Sequence, residues 1–183
     1  MKTFTSTLLA MTLLSTGVSA SMITSNTTAI NTSGQSYSSL YNLGGIDYSS
    51  VSVDLNIKGD YGYYNDEYFH FYIDGVELAS WTYTTSGITV TNNYNNYDYS
   101  LSGVINIDDL VWSGFSADDN LLIQWSNSSS VNAYSQGGSD FVSYTLNGTP
   151  ISTSEATTVP EPMPLALLGL GLAVVAFSRR RKV

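Results

Sequence analysis

The side chains that most often carry out catalysis are scarce in this sequence. It has no cysteine and a single histidine, so a cysteine nucleophile is excluded and a zinc site with several His or Cys ligands cannot form. Any Ser-His-Asp arrangement would have to use His70, which lies between Phe69 and Phe71 in a segment that alternates like a strand. The pattern therefore predicts a surface histidine and a protein that is not an enzyme.

Carboxylates are the second group that could carry chemistry, because several lie where turns are expected. These acidic residues are Asp60, Asp66, Glu67, Asp74, Asp108, Asp109, Asp118 and Asp119. Oxygen ligands from loops suit Ca²⁺, but no stretch has the spacing of an EF-hand loop. We therefore expect a solvated acidic surface and no bound cofactor, with calcium as the one metal that these residues could hold.

Aromatic residues are the third group, since fourteen tyrosines and three tryptophans exceed the needs of a core of this size. Tyr68 and Tyr72 fall on the same outward face of a predicted strand, where Tyr61, Tyr63 or Tyr64 could join them. Such a face could be a flat platform for a carbohydrate, or a cross-strand aromatic ladder that only stabilises the sheet. The sequence leaves both interpretations open.

The elements that would position these residues are short strands. Period-two alternation is clearest at 51–57, and at 67–73 it turns Phe69, Phe71 and Ile73 inward. The dipeptide Asp74-Gly75 then predicts a hairpin turn. Further strands are predicted at 76–81, 87–91, 101–107 (with Gly103 as a bulge), 121–125 and 141–146. Seven or eight strands at intervals of about ten residues, without a helical period, predict an all-β, antiparallel β-sandwich.

The remaining parts of the central region are rich in small polar residues and predict irregular structure. Residues 21–45 are expected to form an irregular N-terminal arm with a short edge strand near 37–43. The Asn- and Tyr-rich stretch 92–99 and the Ser- and Asn-rich stretch 126–138 are expected to be loops.

The N-terminal twenty residues have the pattern of a secretory signal peptide. Lys2 gives a positive charge, residues 4–18 are mostly apolar, and small residues precede a cleavage point after Ala20. The segment is too short and too rich in Ser and Thr for a stable membrane anchor. We therefore expect an exported chain.

The C-terminal segment combines three features in a fixed order. Pro160, Glu161 and Pro162 form a short motif, residues 165–177 are uncharged and apolar, and Arg179, Arg180, Arg181 and Lys182 follow as a basic stop. Fifteen residues from 163 to 177 would span roughly 22 Å as a helix, which is short for a bilayer unless the membrane thins or the arginines snorkel. The basic cluster should stay cytoplasmic under the positive-inside rule.

This tail resembles the PEP-CTERM sorting signal of Gram-negative bacteria, and the resemblance covers about 25 residues. It implies recognition of the Pro-Glu-Pro motif by exosortase, a membrane protease-transpeptidase, and removal of the tail after export. The predicted organisation is a signal peptide at 1–20, a secreted domain at 21–157 and a sorting tail with a transmembrane helix at 158–183. The strand pattern is loosely similar to the jelly-roll-like bodies of exported proteins of this kind.

The domain left between the two ends is strongly acidic. Residues 21–157 keep Lys58 as their one basic residue against fourteen acidic ones, a formal charge of −13. Such a surface repels nucleic acid phosphates and anionic lipid headgroups, so a nucleic acid partner is excluded. With no cysteine, the domain must hold together through its apolar core.

These observations predict an exported, non-enzymatic protein of the cell surface or extracellular matrix, associated with biofilm or exopolysaccharide. Its expected partners are exosortase, the membrane transiently through the tail helix, and exopolysaccharide. A secreted carbohydrate-binding module is the alternative, and a glycan-active enzyme comes third.

Overall fold

The computed structural model describes residues 19–62, 66–133 and 137–151. The strands are β1 (Ser21–Ala29), β2 (Ser36–Asn42), β3 (Tyr48–Asp60), β4 (Phe69–Ile73), β5 (Val76–Trp81), β6 (Thr89–Tyr94), β7 (Asp98–Asn106), β8 (Asn120–Asn127) and β9 (Phe141–Pro150). A short helix, α1 (Asp109–Phe115), and a 3-10 turn at Ser116–Asp118 lie between β7 and β8. The chain divides into two units, Met1–Ile151 and Ser152–Val183, and every described strand belongs to the first.

The described strands form two antiparallel sheets. The five-stranded sheet has the order β1-β9-β3-β7-β6, and the four-stranded sheet has the order β2-β8-β4-β5. Strands β1 to β4 alternate between the two sheets, and the last two strands, β8 and β9, insert between earlier ones. This order is typical of a jelly roll, here with β6 added at one edge. The predicted antiparallel sandwich is confirmed.

The core lies between the sheets and is built by strict alternation along the strands. On β4, Phe69, Phe71 and Ile73 are buried, as predicted, while the residues between them face outward. Phe71 of the four-stranded sheet meets Tyr144 of the five-stranded sheet, with ring centroids 5.6 Å apart. All the described strands lie between residues 21 and 150, so a chain of residues 21–157 contains everything that the two sheets need in order to fold.

Two local features concern turn and packing chemistry. The hairpin predicted at Asp74-Gly75 is present between β4 and β5, with φ of 50° and 76°, as a type I′ turn requires. The bulge predicted at Gly103 is wrong, because β7 pairs with β3 without a shift in register. Glycine instead avoids crowding, because a Cβ there would lie 3.1 Å from the Ile88 side chain and 3.2 Å from the Trp81 ring, which belongs to the other sheet.

The prediction of an irregular arm at 21–45 is wrong, although the short edge strand expected near 37–43 is present as β2. Residues 21–29 form β1, which pairs with β9, and residues 36–42 form β2, which pairs with β8. In both strands, buried or half-buried side chains alternate with exposed ones, so Ser, Thr and Asn are tolerated on the exposed face. The polar composition masked β1, which is stabilised by its backbone pairing with β9.

Two further stretches differ from expectation. The predicted loop at 92–99 is a tight hairpin, with Asn95 and Asn96 at positive φ between β6 and β7. The helix α1 was not predicted. It is too short to show a helical period, but its start is signalled by Asp108, whose side chain accepts a hydrogen bond from the Leu110 backbone N–H at 2.9 Å.

Candidate functional site

The outward face of β4 carries a row of three aromatic side chains, which we call the aromatic strip (Tyr68, His70 and Tyr72). Alternation along the strand places them on one face, as predicted. The ring centroids of Tyr68 and His70 are 6.0 Å apart, and those of His70 and Tyr72 are 6.2 Å apart. The ring planes of neighbours lie within 25° of each other. The three rings therefore form one row of nearly parallel aromatic rings on the outside of the four-stranded sheet.

A groove of about 550 Å³ lies beside this strip, across β2, β8 and β4. It is lined by Ser36, Tyr37, Ser38, Tyr72, Gly75, Gln124, Trp125 and Ser126. Cross-strand pairing sets its floor, because Gln124 lies opposite Ser38 on one side and opposite Tyr72 on the other. Its volume is within the range of small-molecule sites in proteins. We refer to this feature as the outer groove.

The polar side chains of the outer groove are not used to hold the sheet together. Within the described residues, the side chains of Ser38, Tyr72, Gln124 and Ser126 make no hydrogen bond to the protein. The outer face of the other sheet behaves differently, as in the hydrogen bond of 2.8 Å between the Thr27 and Ser143 hydroxyls. The groove therefore presents hydroxyl and amide groups that are available to a ligand.

The one histidine of the chain belongs to the strip and pairs with an acidic neighbour. His70 Nδ1 is 3.3 Å from Glu77 Oε1 on β5. No hydrogen bond links His70 to a serine hydroxyl among the residues described. The ring is held between two tyrosines and a carboxylate on an open strand face.

A second cluster of charged side chains lies at one end of the five-stranded sheet, which we call the acid–lysine cluster (Lys58, Asp60, Asp98 and Asp140). All four are buried, none more than 8% exposed. Lys58 Nζ donates to Asp140 Oδ1 at 2.8 Å and to Asp98 Oδ2 at 3.2 Å. It also donates to the Gly138 carbonyl oxygen at 2.8 Å. The lysine thus ties β3 to the start of β7 and to the segment that enters β9.

Burial dominates the electrostatics of this cluster. Desolvation raises the pKa of Asp60 to about 6, and the nearby charges of Asp98 and Asp140 add to this effect, against a hydrogen bond from Asn132. Desolvation also raises the pKa values of Asp98 and Asp140, although hydrogen bonds from Lys58 oppose it. Burial by itself lowers the pKa of Lys58. The hydrogen bonds and charges of Asp140 and Asp98 together outweigh this effect, so the pKa of Lys58 is raised.

The acidic residues considered as calcium ligands in the sequence lie in different environments. Asp74 accepts a hydrogen bond from the Leu122 backbone N–H at 2.8 Å. Asp118 accepts a hydrogen bond from the Asn120 backbone N–H at 3.1 Å. Asp60 is buried in the acid–lysine cluster and Glu67 is fully buried, so the prediction of a solvated acidic surface is wrong for both residues. No group of three or more His, Asp or Glu side chains among the described residues could hold a metal ion.

The residues predicted to direct export lie mostly outside the described part of the chain. Pro160, Glu161 and Pro162, the helix at 163–177 and the basic residues Arg179, Arg180, Arg181 and Lys182 are all outside it. Ala20 is described, is exposed and directly precedes β1, so cleavage after it would leave the strand intact. In the ranges that are described, no helix has the length and apolar character needed to cross a membrane.

Sequence reasoning found the aromatic strip but missed the acid–lysine cluster and the groove. Its suggestion that Tyr61 could join the strip is wrong, because Tyr61 is buried in the core, and Tyr63 and Tyr64 lie outside the described residues. The cluster had one usable signal: Lys58 is the sole basic residue between the signal peptide and the tail, and it follows directly on a predicted strand. The groove had none, because Ser38, Gln124 and Ser126 come from distant parts of the chain and are brought together only by the strand order.

Comparison with known proteins gives one match. No curated protein sequence and no solved structure is significantly similar to the chain. The family model of the PEP-CTERM protein-sorting motif matches residues 158–182, which include Pro160, Glu161 and Pro162 and the whole basic cluster from Arg179 to Lys182. The match implies processing by exosortase, with export and membrane-associated sorting toward the cell surface. The chain therefore carries a PEP-CTERM protein-sorting motif at its C-terminal end.

Proposed function

We propose that this protein is a non-enzymatic component of the cell surface or extracellular matrix, delivered by exosortase and associated with exopolysaccharide. The observation that carries the proposal is the sorting motif at residues 158–182. In this scheme, the signal peptide at 1–20 starts export and the tail helix holds the chain in the membrane. Cleavage of the tail then releases the sandwich domain, and Arg179 to Lys182 stay on the cytoplasmic side until that step.

Two features of the sandwich domain support a role without catalysis. His70 lies on an exposed strand face, where its Nδ1 faces Glu77, and a nucleophile would need a histidine aimed at it instead. The buried carboxylates of the acid–lysine cluster contact a lysine and a loop, which ties strands together. We further propose that the domain works without a resident metal, so calcium would act on it only through ionic strength.

The aromatic strip and the outer groove favour a second candidate function, a secreted carbohydrate-binding module. The two functions are compatible, because a matrix protein that binds polysaccharide would be both. A role as a matrix component requires correct sorting, whereas a role as a carbohydrate-binding module requires a ligand site on the folded domain.

The sorting step can be tested by changing the motif. Glu161→Ala should leave the full-length protein uncut in the inner membrane, because the acidic centre of the Pro-Glu-Pro motif is proposed to be read by exosortase. Cell fractionation and the mass of the C-terminus would measure this in the native host. Glu155→Ala, which removes a carboxylate six residues upstream, is the matched control and should be processed normally. Equal processing of both variants would contradict the proposal.

A further inference from the structure

We propose that the aromatic strip and the outer groove together bind a neutral polysaccharide chain. This inference rests on the proposed function, since it assigns a site and a ligand class to the association with exopolysaccharide. The first reason is the strip itself. Aromatic rings offer large, rigid apolar faces, and the C–H face of a pyranose ring is an apolar surface of similar size. Three neighbouring rings in a row offer this surface to successive sugars of one chain.

The second reason is the supply of hydrogen-bonding groups beside the rings. Ser38, Gln124 and Ser126 line the groove, and their side chains are not engaged by other described residues of the protein. Hydroxyls and amides can both donate and accept, and so can the hydroxyl groups of a sugar. An apolar surface with a few polar groups that fix orientation is the usual composition of a ligand site.

The third reason concerns charge and selects a neutral glycan over an acidic one. The sole basic residue of the domain, Lys58, is buried in the acid–lysine cluster, so it cannot attract a uronate or a phosphate. The groove has no lysine or arginine in its lining, and Glu77 adds a carboxylate beside the strip. An acidic polymer would meet a surface of its own sign, whereas a neutral polymer meets no such repulsion.

The chemistry of the site is binding alone. The groove lies on the outer face of a sheet and crosses three strands, so a chain can pass through it without having to be threaded by its end. Sorting of the domain to the cell surface would then place this face where a polysaccharide is encountered.

The test measures binding of residues 21–157 to three probes by affinity gel electrophoresis. Hydroxyethylcellulose and galactomannan are the neutral probes, and polygalacturonate is the acidic one. Retardation is expected with at least one neutral probe and not with polygalacturonate. Tyr72→Ala and Tyr68→Ala should each weaken that binding by about tenfold, the effect of losing one well-packed aromatic contact. Tyr72→Phe keeps the ring and should bind nearly as well as the unchanged domain.

The control is Tyr94→Ala, which removes an exposed tyrosine from the other sheet and should leave binding unchanged. Circular dichroism and melting temperature of each variant show whether the sandwich is intact. Gln124→Ala provides a second probe of the groove that leaves the rings in place, and it should also weaken binding. The tyrosine variants of the aromatic strip and the Gln124 variant of the outer groove therefore test the site independently.

The outcomes separate this inference from the proposed function. Undiminished binding by Tyr72→Ala and Tyr68→Ala would place the glycan elsewhere and overturn the site. Binding of polygalacturonate alone would overturn the choice of a neutral ligand, and no binding of either neutral probe would overturn the inference altogether. None of these results affects the sorting of Glu161→Ala, which tests the proposed function independently.

Discussion

Changing Asp60 to asparagine should make the domain more stable at neutral pH. The carboxyl of Asp60 is 5% exposed, its Oδ1 accepts no hydrogen bond from the described residues, and two further aspartates lie nearby. Its pKa is raised from 3.8 to about 6 in the folded protein. The folded state therefore binds the proton more tightly than the unfolded chain does. Ionisation of Asp60 therefore lowers the free energy of unfolding as pH rises from about 4 to about 6. Above pH 6 the free energy of unfolding stays at this lower value.

The magnitude follows from the size of the shift. One pKa unit corresponds to about 1.4 kcal/mol, so a rise of roughly two units costs the folded protein about 3 kcal/mol at pH 7 and above. Asparagine carries no charge at any pH and can still accept the hydrogen bond from Asn132. Asp60→Asn should therefore gain up to about 3 kcal/mol above pH 6 and little below pH 4. With a urea slope of about 1–3 kcal/mol per molar, the midpoint should rise by up to about 1–3 M.

The assay is urea unfolding of residues 21–157, followed by tryptophan fluorescence at several values between pH 4 and pH 8. Asp54→Asn is the matched control, because it makes the same chemical change at an exposed position of the same strand and lowers the net charge equally. A gain that is the same for both variants would mean that only overall charge matters. A gain that does not grow with pH would refute the argument from burial.

Two further predictions concern charge in the same domain. Lys58→Met should destabilise the domain by about 3–5 kcal/mol at pH 7, because Asp98 and Asp140 would stay buried without their counter-ion. Urea unfolding measures this loss of stability, and a variant as stable as the unchanged protein would contradict the prediction. Calcium chloride and sodium chloride at equal ionic strength should raise the melting temperature by similar amounts, because screening acts on the repulsion within a domain of formal charge −13. A much larger shift with calcium, absent with magnesium, would instead reveal a specific site.

The sequence predicted most of the sandwich because buried strands leave a two-residue period. The residues of β4 followed that rule one by one, from the buried Phe69 to the outward Tyr72. The edge strand β2 was expected near 37–43, but β1 was not predicted, because backbone pairing with β9 stabilises it and its exposed side chains need not be apolar. Helix α1 escaped detection because two turns are too few to establish a period of 3.6.

Only the aromatic strip of the candidate site was predictable from the sequence, because local patterns do not show which distant residues come together. The aromatic strip is local, since Tyr68, His70 and Tyr72 lie within five consecutive residues of β4 and its start. The polar side of the groove needs Gln124 to lie between Ser38 and Tyr72, and that depends on the insertion of β8 between β2 and β4. Such contacts between residues far apart in the chain come from topology, which a local pattern does not encode.

The burial of Lys58 links the stability of the domain to its surface chemistry. An acidic domain with a single base could keep that base outside, where it would attract acidic polymers and lipids. Here it forms ion pairs with two buried aspartates instead, and the exposed surface of residues 21–157 is left without a lysine or arginine. A surface with acids but no bases repels acidic polymers, and it recognises a neutral polymer through apolar contacts and hydrogen bonds. The aromatic strip and the outer groove supply both, so the internal ion pairs and the proposed neutral ligand follow from the same distribution of charge.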